Sequence, residues 1–340
     1  MKALVLRAHG GPEILQLEQD FPDPIVGHDE VLLRVTATAL NFHDVLTCRG
    51  MPGIRIPFPT VPGMDVAGEV VQVGADVVGW SLGECVLVDP RDRVSGDLIG
   101  ETRHGGLAEF CVVPSRQLIR IPLGVSAEQA ATLPAAYGAA HRMIMSVGQV
   151  QPGEDVLVIG ASGGVGTGCV QLARLLGANV IAVVSSSEKA QLARQLGASQ
   201  VVRSDQHQFS AAVRELCGKP ERLRGGGRGG GVDVVINNTG GSTWVESLRC
   251  LRHGGRLLTC GASAGFDPKE DLRYIWSFEL RILGSNEWER EDLVELLELV
   301  RVGRLVTPID RVCRLEDARA ALADIAARRV SGKIVVTPNT

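Results

Sequence analysis

At 340 residues the chain is long enough for two domains of about 100–200 residues, each with its own core. Apolar residues make up 45% and charged residues 22%, the balance of an ordinary globular protein. A net charge of -4 gives no electrostatic reason to expect nucleic acid or an anionic membrane as a partner, and no run approaches the ~18 consecutive apolar residues of a membrane span.

The opening MKALVLRAHGG is too short in its apolar part for a signal peptide, so the expected compartment is the cytosol. Residues 1–7, 30–40, 65–74 and 107–113 carry β-branched runs punctuated by Gly and Pro, which predicts an all-β unit over roughly the first 130 residues. From Pro152 the grammar changes to strand–helix alternation. VLVI (156–159) runs into GASGGVG and the helical stretch 170–177. VIAVV (180–184) precedes a helix over 185–197 that opens on serines and stops at Gly197. Buried strands follow at 232–237, 255–261 and 281–285, then a helix over 290–303 and a closing strand over 331–338. Repeated units of this kind specify a parallel, doubly wound sheet. The Gly-rich stretch 222–231 reads as a mobile surface loop rather than a phosphate loop, because no strand feeds it and no helix follows.

The eight cysteines (48, 85, 111, 169, 217, 250, 260 and 313) are scattered without a CxxC pair, as expected of free thiols in a reducing compartment.

GASGGVG (160–166) is the strongest chemical signal. Phosphate approaches main chain only where side chains are absent, and Gly160, Gly163 and Gly166 are spaced for that. With Ser162, Gly164 and Val165 they would carry a pyrophosphate at a helix N-terminus. An NAD site needs a carboxylate at the end of the second strand, about 20 residues on. Here Val184 is followed by Ser185, Ser186 and Ser187, then Glu188 and Lys189. Ser185, Ser186 and Lys189, with Arg203 after the next strand, suit a ribose 2′-phosphate, so the expected cofactor is NADP(H); the alternative is that the serines only cap a helix. Asn238, Thr239, Gly261 and Ala262 lie at later strand ends, where open α/β sheets bind cofactors.

Five blocks in order, ALNFHDVLTCRG (39–50), FPTVPGMDVAGEVVQVG (58–74), GGLAEFCVVP (105–114), AATLPAAYGAAHRM (130–143) and GASGGVG (160–166), resemble the medium-chain dehydrogenase/reductase superfamily, most closely its zinc-free quinone oxidoreductase and enoyl reductase branch. DLRYIWSFELRILGS (271–285) looks more like bacterial alcohol dehydrogenases. The resemblance implies an α/β fold: a GroES-like catalytic domain from 1–136 and 287–340, interrupted by a Rossmann domain at 137–286, in a homodimer or homotetramer.

It also implies where zinc would sit in metal-dependent relatives: Asn41, Met64, Asp65 and the stretch near Pro134. An amide, a thioether and a proline region do not make a tetrahedral zinc site, so no metal is expected. The structural zinc lobe is replaced by PRDRVSGDLIGETRHGG between 88 and 106. His43, Asp44, Cys48, His104 and His141 are nearby in sequence, but on an extended segment His43 and Asp44 would point to opposite sides. Without a metal, simple alcohol oxidation is disfavoured, while hydride addition to a quinone or a conjugated alkene is easier.

The expected catalytic residues are Asn41, touching the nicotinamide ribose or donating to substrate; Asp44, bracing that loop; and Tyr137, donating to the developing oxyanion or simply packing. His43 and His141 are possible proton donors or structural histidines. Trp276 and Trp288 line a pocket or interface, or pack. The expected activity is zinc-independent, NADPH-dependent reduction of a small quinone, enone, enal or enoyl thioester. The alternatives are an alcohol or aldehyde dehydrogenase with an unconventional metal site and an NADPH-binding protein without turnover.

Overall fold

A computed structural model describes residues 1–222 and 229–339, in two compact units: Met1–Ala136 with Leu293–Thr340, and Tyr137–Asp292. The return crossing therefore falls at 292/293 rather than 286/287. The Gly-rich stretch at 222–231 lies for the most part outside the described residues. Among the described residues no helix is long and apolar enough to cross a membrane.

The first unit contains β1 (Ala3–Val5), β2 (Gln16–Glu18), β3 (Glu30–Ala39), α1 (Phe42–Arg49), β4 (Asp65–Val73), β5 (Cys85–Val88), β6 (Phe110–Pro114), β7 (Leu118–Arg120) and α2 (Ala127–Ala131). β3 organises it. Val31, Leu33, Val35 and Ala37 alternate inward and are fully buried, forming one core face. That face packs with Val66, Val70, Val86, Val88 and Ile99.

The second unit contains α3 (Ala139–His141), β8 (Asp155–Ile159), α4 (Gly164–Leu175), β9 (Asn179–Val184), α5 (Ser187–Gln195), β10 (Gln200–Arg203), α6 (Phe209–Cys217), β11 (Val232–Ile236), α7 (Thr243–Leu248), β12 (Leu251–Thr259), α8 (Leu272–Ser277) and β13 (Arg281–Gly284). Its six strands are all parallel in the order β10-β9-β8-β11-β12-β13. The order reverses between β8 and β11, and the carboxyl ends of strands at such a reversal open the crevice where doubly wound sheets take ligands. The core is built from short aliphatic runs covered on both faces, Leu157, Ile181, Val235 and Leu257 among them. π-helical turns at Leu133–Gly138 and Arg142–Val147 flank α3; apolar periodicity does not reveal this register.

α9 (Arg290–Arg301) spans the return, and β14 (Ile309–Arg314), α10 (Ala318–Ala326) and β15 (Lys333–Thr337) complete the first unit. Its larger sheet then reads β14-β15-β3-β4-β5-β7, with β6 also paired to β3. Antiparallel pairing sets Ala39 of β3 opposite both Asp65 of β4 and Val335 of β15. Asn41, just past the end of β3, therefore comes to the same edge as Lys333, the first residue of β15, and Asp65, the first of β4.

Candidate functional site

The glycine turn of the second unit follows β8 directly. Gly160 has φ +67°, a conformation glycine adopts without cost, and its main chain turns the strand into α4. A Cβ on Gly166 would lie 2.3 Å from the Gly160 carbonyl oxygen, so the first helical turn packs on the strand end only because that position has no side chain. A Cβ on Gly163, the residue before α4, would have only the Gly160 carbonyl oxygen, at 3.5 Å, as a neighbour. Main-chain amides at a helix N-terminus beside open space are what a pyrophosphate requires. Gly164, Val165 and Ser162 complete this turn, Ser162 largely buried.

Around it the neighbouring strand ends converge. After β11, Asn237 is fully buried; its Oδ1 accepts from the amides of Thr239 and Gly240 (both 2.9 Å) and its Nδ2 donates to Ser247 Oγ (2.8 Å). This locks the turn carrying Asn238 and Thr239. The amide of Ala264 donates to the Thr239 carbonyl (2.6 Å) and that of Ser263 to the Asn238 carbonyl (3.3 Å), joining this turn to the loop with Gly261 and Ala262. The structure thus brings Gly160, Asn238, Thr239, Gly261 and Ala262 to one end of the sheet. Sequence reasoning missed Asn237, one residue before the stretch it singled out.

After β9, Ser186 caps α5, its Oγ accepting from the Lys189 amide (3.3 Å). Arg203 donates to Ser187 Oγ (2.6 Å), which brings its guanidinium to the α5 N-terminus, and its fork also clasps Asp205 at 2.7 and 2.5 Å. Ser185, Ser186, Lys189 and Arg203 thus cluster where β9 and β10 end, with Asp205 as an acidic neighbour that sequence reasoning did not weigh.

In the first unit the edge shared by β3, β4 and β15 carries a buried polar hub. Lys333 is 3% exposed and Asp65 is wholly buried. The Lys333 ammonium donates to Asn41 Oδ1 and lies 3.2 Å from Asp65 Oδ2, which also accepts from Asn41 Nδ2 (2.9 Å). Asp65 Oδ1 accepts from the Ala135 amide (2.9 Å). The second Asn41 amide hydrogen goes to the Ala39 carbonyl (3.2 Å). Asp44 accepts from the amides of Asn41 (2.7 Å) and Gly63 (3.2 Å), bracing the loop as a cap of α1. Burial pushes its carboxyl up to about 6, against the pull of the Asn41 amide and His43.

Three sequence expectations change here. Asn41 has both amide hydrogens committed inside the hub, so it anchors rather than donates to substrate or ribose. Tyr137 is fully buried, its hydroxyl 3.1 Å from Thr167 Oγ1 and its ring against Gly168 of α4. Burial pushes that phenol well above its ordinary value, despite hydrogen bonds to Thr167 and Gln171, as in the packed alternative. His43 and Asp44 lie on a helix, not on an extended segment. His141 is buried with Nδ1 3.1 Å from Asp292 Oδ1, a packed position in the second unit. Trp288 is buried against Gly138, and Trp276 is exposed on α8.

The donor set does not fit zinc. Asp65 is already neutralised by an ammonium, Met64 offers only a buried thioether, and no group of three His, Cys, Asp or Glu side chains suits a metal among the described residues. Between 88 and 106 charged pairs do the holding. Asp92 accepts from Arg116 (3.0 and 2.6 Å), which with further hydrogen bonds from Val94 and Ser95 holds its carboxyl well below the usual range against the opposing effect of burial.

Residues 27–123 match the model of the alcohol dehydrogenase GroES-like domain, and residues 164–301 that of the zinc-binding dehydrogenases. The quinone oxidoreductase-like protein 2 of Bos taurus is 32% identical over 95% of this chain and 89% of its own. Acryloyl-coenzyme A reductase of Sulfurisphaera tokodaii is 31% identical over 99% of this chain and 100% of its own. This chain belongs to the medium-chain dehydrogenase/reductase family. A solved NAD-dependent alcohol dehydrogenase is similar at a TM-score of 0.89 and 34% identity, covering 99% of both chains. The chain is thus an oxidoreductase of this family with a GroES-like unit and a Rossmann unit, and the family uses nicotinamide cofactors.

Two substitutions test this geometry. Gly166→Ala drives a methyl group into the Gly160 carbonyl and should weaken nicotinamide dinucleotide binding about tenfold or more, read by cofactor fluorescence, without altering circular dichroism. Lys333→Met strands the Asp65 carboxylate in the core and should cost about 3–5 kcal/mol in urea denaturation followed through the first unit, with Lys333→Met/Asp65→Leu recovering much of the loss. Equal stability of Lys333→Met and the parent would show that the hub holds nothing.

Proposed function

We propose that this chain is a reductase that uses NADPH, needs no zinc, and adds hydride to the electrophilic carbon of a conjugated carbonyl, with an enoyl thioester or quinone as substrate. The observation that carries the reading is the Lys333–Asp65–Asn41 hub. At the positions where the resemblance puts the catalytic metal, this chain has a buried ammonium whose partners are already satisfied. Oxidising a plain alcohol requires removal of its proton, which zinc normally assists by acidifying the bound oxygen. A conjugated acceptor has no such proton; it needs hydride and then a proton on the enolate. Bound at the glycine turn, the reduced nicotinamide would supply that hydride. The kinship with an acryloyl-coenzyme A reductase and a quinone oxidoreductase-like protein points to the same acceptors.

The cofactor preference rests on the end of β9. Ser185 and Ser186 stand where an NAD site would place a carboxylate, and Arg203 reaches the same helix N-terminus. Ser162, Gly163 and Gly164 would hold the pyrophosphate, with Asn238, Thr239, Gly261 and Ala262 beside the rest of the cofactor. None of the eight cysteines, all among the described residues, is in a disulfide, which suits the reducing cytosol. Self-association as a homodimer or homotetramer has a face to use: Leu272 and Trp276 of α8 and Ile282 of the edge strand β13 are exposed.

The NAD-dependent alcohol dehydrogenase likeness favours a second reading, alcohol or aldehyde turnover with NAD(H). Chelator-treated protein should oxidise NADPH with crotonyl-CoA, an enal or 1,4-benzoquinone, with kcat/KM for NADPH about tenfold or more above NADH. Turnover confined to a simple aldehyde or alcohol with NAD(H) would establish the second reading instead.

A further inference from the structure

The reaction proposed above leaves a proton to be delivered after the hydride, and the hub residues cannot deliver it: Asn41, Asp65 and Lys333 are bonded to one another and buried. The histidines of the first unit differ in what surrounds them. His104 accepts from the Val61 amide through Nδ1, and burial and Arg103 make it harder to protonate. His9 packs edge-on against Phe58, its Nδ1 3.2 Å from the Cys48 carbonyl.

His43 is built differently. It lies in the first turn of α1, two residues after Asn41, with its side chain 31% exposed. Its Nε2 is 2.5 Å from Oε1 of Glu101, a carboxylate only 5% exposed in the turn that follows Ile99. A carboxylate oxygen only accepts, so Nε2 carries the hydrogen of this bond. The pair fixes the ring, and Nδ1 has no partner among the described residues. An imidazole oriented through one nitrogen by a buried carboxylate, with the other nitrogen uncommitted, is the arrangement of a working acid or base.

Resting on the reductase reading, we propose that His43, held by Glu101, is the proton donor that completes the reduction. The β-carbon accepts the hydride, and the alkene π pair moves onto the carbonyl oxygen as an enolate. The Nδ1–H bond of the His43 imidazolium then breaks as a C–H bond forms at the α-carbon. Neutral His43 regains its proton from water. NADPH and one proton are consumed for each C=C bond reduced.

Electrostatics favour the charged form at rest. Burial lowers the basicity of the ring, but the Glu101 hydrogen bond and charge outweigh it, with Asp44 beside it on α1 and Asp65 at the start of β4 acting in the same direction. The nearby cation Lys333 is paired to Asp65 and Asn41. A donor must be protonated, so kcat should be constant at low pH and fall as pH rises through a midpoint above the ordinary histidine value.

The test uses the full chain with NADPH and crotonyl-CoA in H2O and D2O, for the parent, His43→Gln and Glu101→Gln. His43→Gln should lower kcat about 10²-fold or more, leave cofactor fluorescence binding unchanged, and abolish both the pH break and stereospecific deuterium delivery at the α-carbon. Glu101→Gln should move the pH break downward together with the His43 ring titration seen by NMR in cofactor-free protein, a shift that loss of a merely structural contact would not produce. A His43→Gln enzyme that keeps the parent's kcat, pH break and α-carbon stereochemistry overturns the proton-donor role while the reductase reading stands. If the parent turns over no conjugated acceptor, the reductase reading falls and this role falls with it.

Discussion

A lysine ammonium with almost no access to water sits at the edge where β3, β4 and β15 meet, and much of the first unit's site follows from how its charge is met. Burying one unpaired charge is prohibitive, and even a paired one needs additional hydrogen bonds to be tolerated. Lys333 has both: the Asp65 carboxylate and the Asn41 carbonyl oxygen. Those obligations fix Asn41 as the cap position of α1 and orient Asp65 toward the Ala135 amide. α1 in turn carries His43 at its first turn. One desolvated cation thus joins the last strand of the chain to the loop that bears the polar residues, across nearly three hundred positions of sequence.

The second unit solves a different problem with little charge. The glycine-turn end of its sheet is shaped by omission: Gly166 lets the helix start against the strand, and Gly163 leaves space beside main-chain amides. The buried Asn237 amide supplies the rigidity that the glycines give up. One unit is therefore shaped at this end by backbone, and the other holds ionisable side chains in fixed orientation.

The fold was legible because its signals are local. The strand–turn–helix around 160–166, the β-branched runs of the first 130 residues and the run of βα units each follow from neighbouring residues. The parts that were not legible depend on contacts distant in sequence. Lys333 reads as the start of an ordinary closing strand, although a lysine opening so apolar a run, KIVVT, is a sign that it will be buried and need a partner. Glu101 carries no signal at all; only the fold brings it to His43, 58 positions away. Tyr137 stayed open between donor and packing for the same reason: a tyrosine at a domain crossing can face solvent or core, and the neighbours that decide, Thr167 and Gly168, begin 30 positions on. The resemblance singles out Asn41 as standing in a metal ligand's place, but its bonding depends on Lys333 and Asp65, partners that sequence spacing does not disclose.

In the proposed reading, the Lys333 ammonium stands where the resemblance puts the zinc ion of metal-dependent relatives. Calorimetric titration of zinc into chelator-treated protein, with alcohol oxidation followed in parallel, tests it most directly. The account predicts no stoichiometric binding and no gain of alcohol oxidation. Tight one-to-one binding accompanied by alcohol oxidation would contradict it.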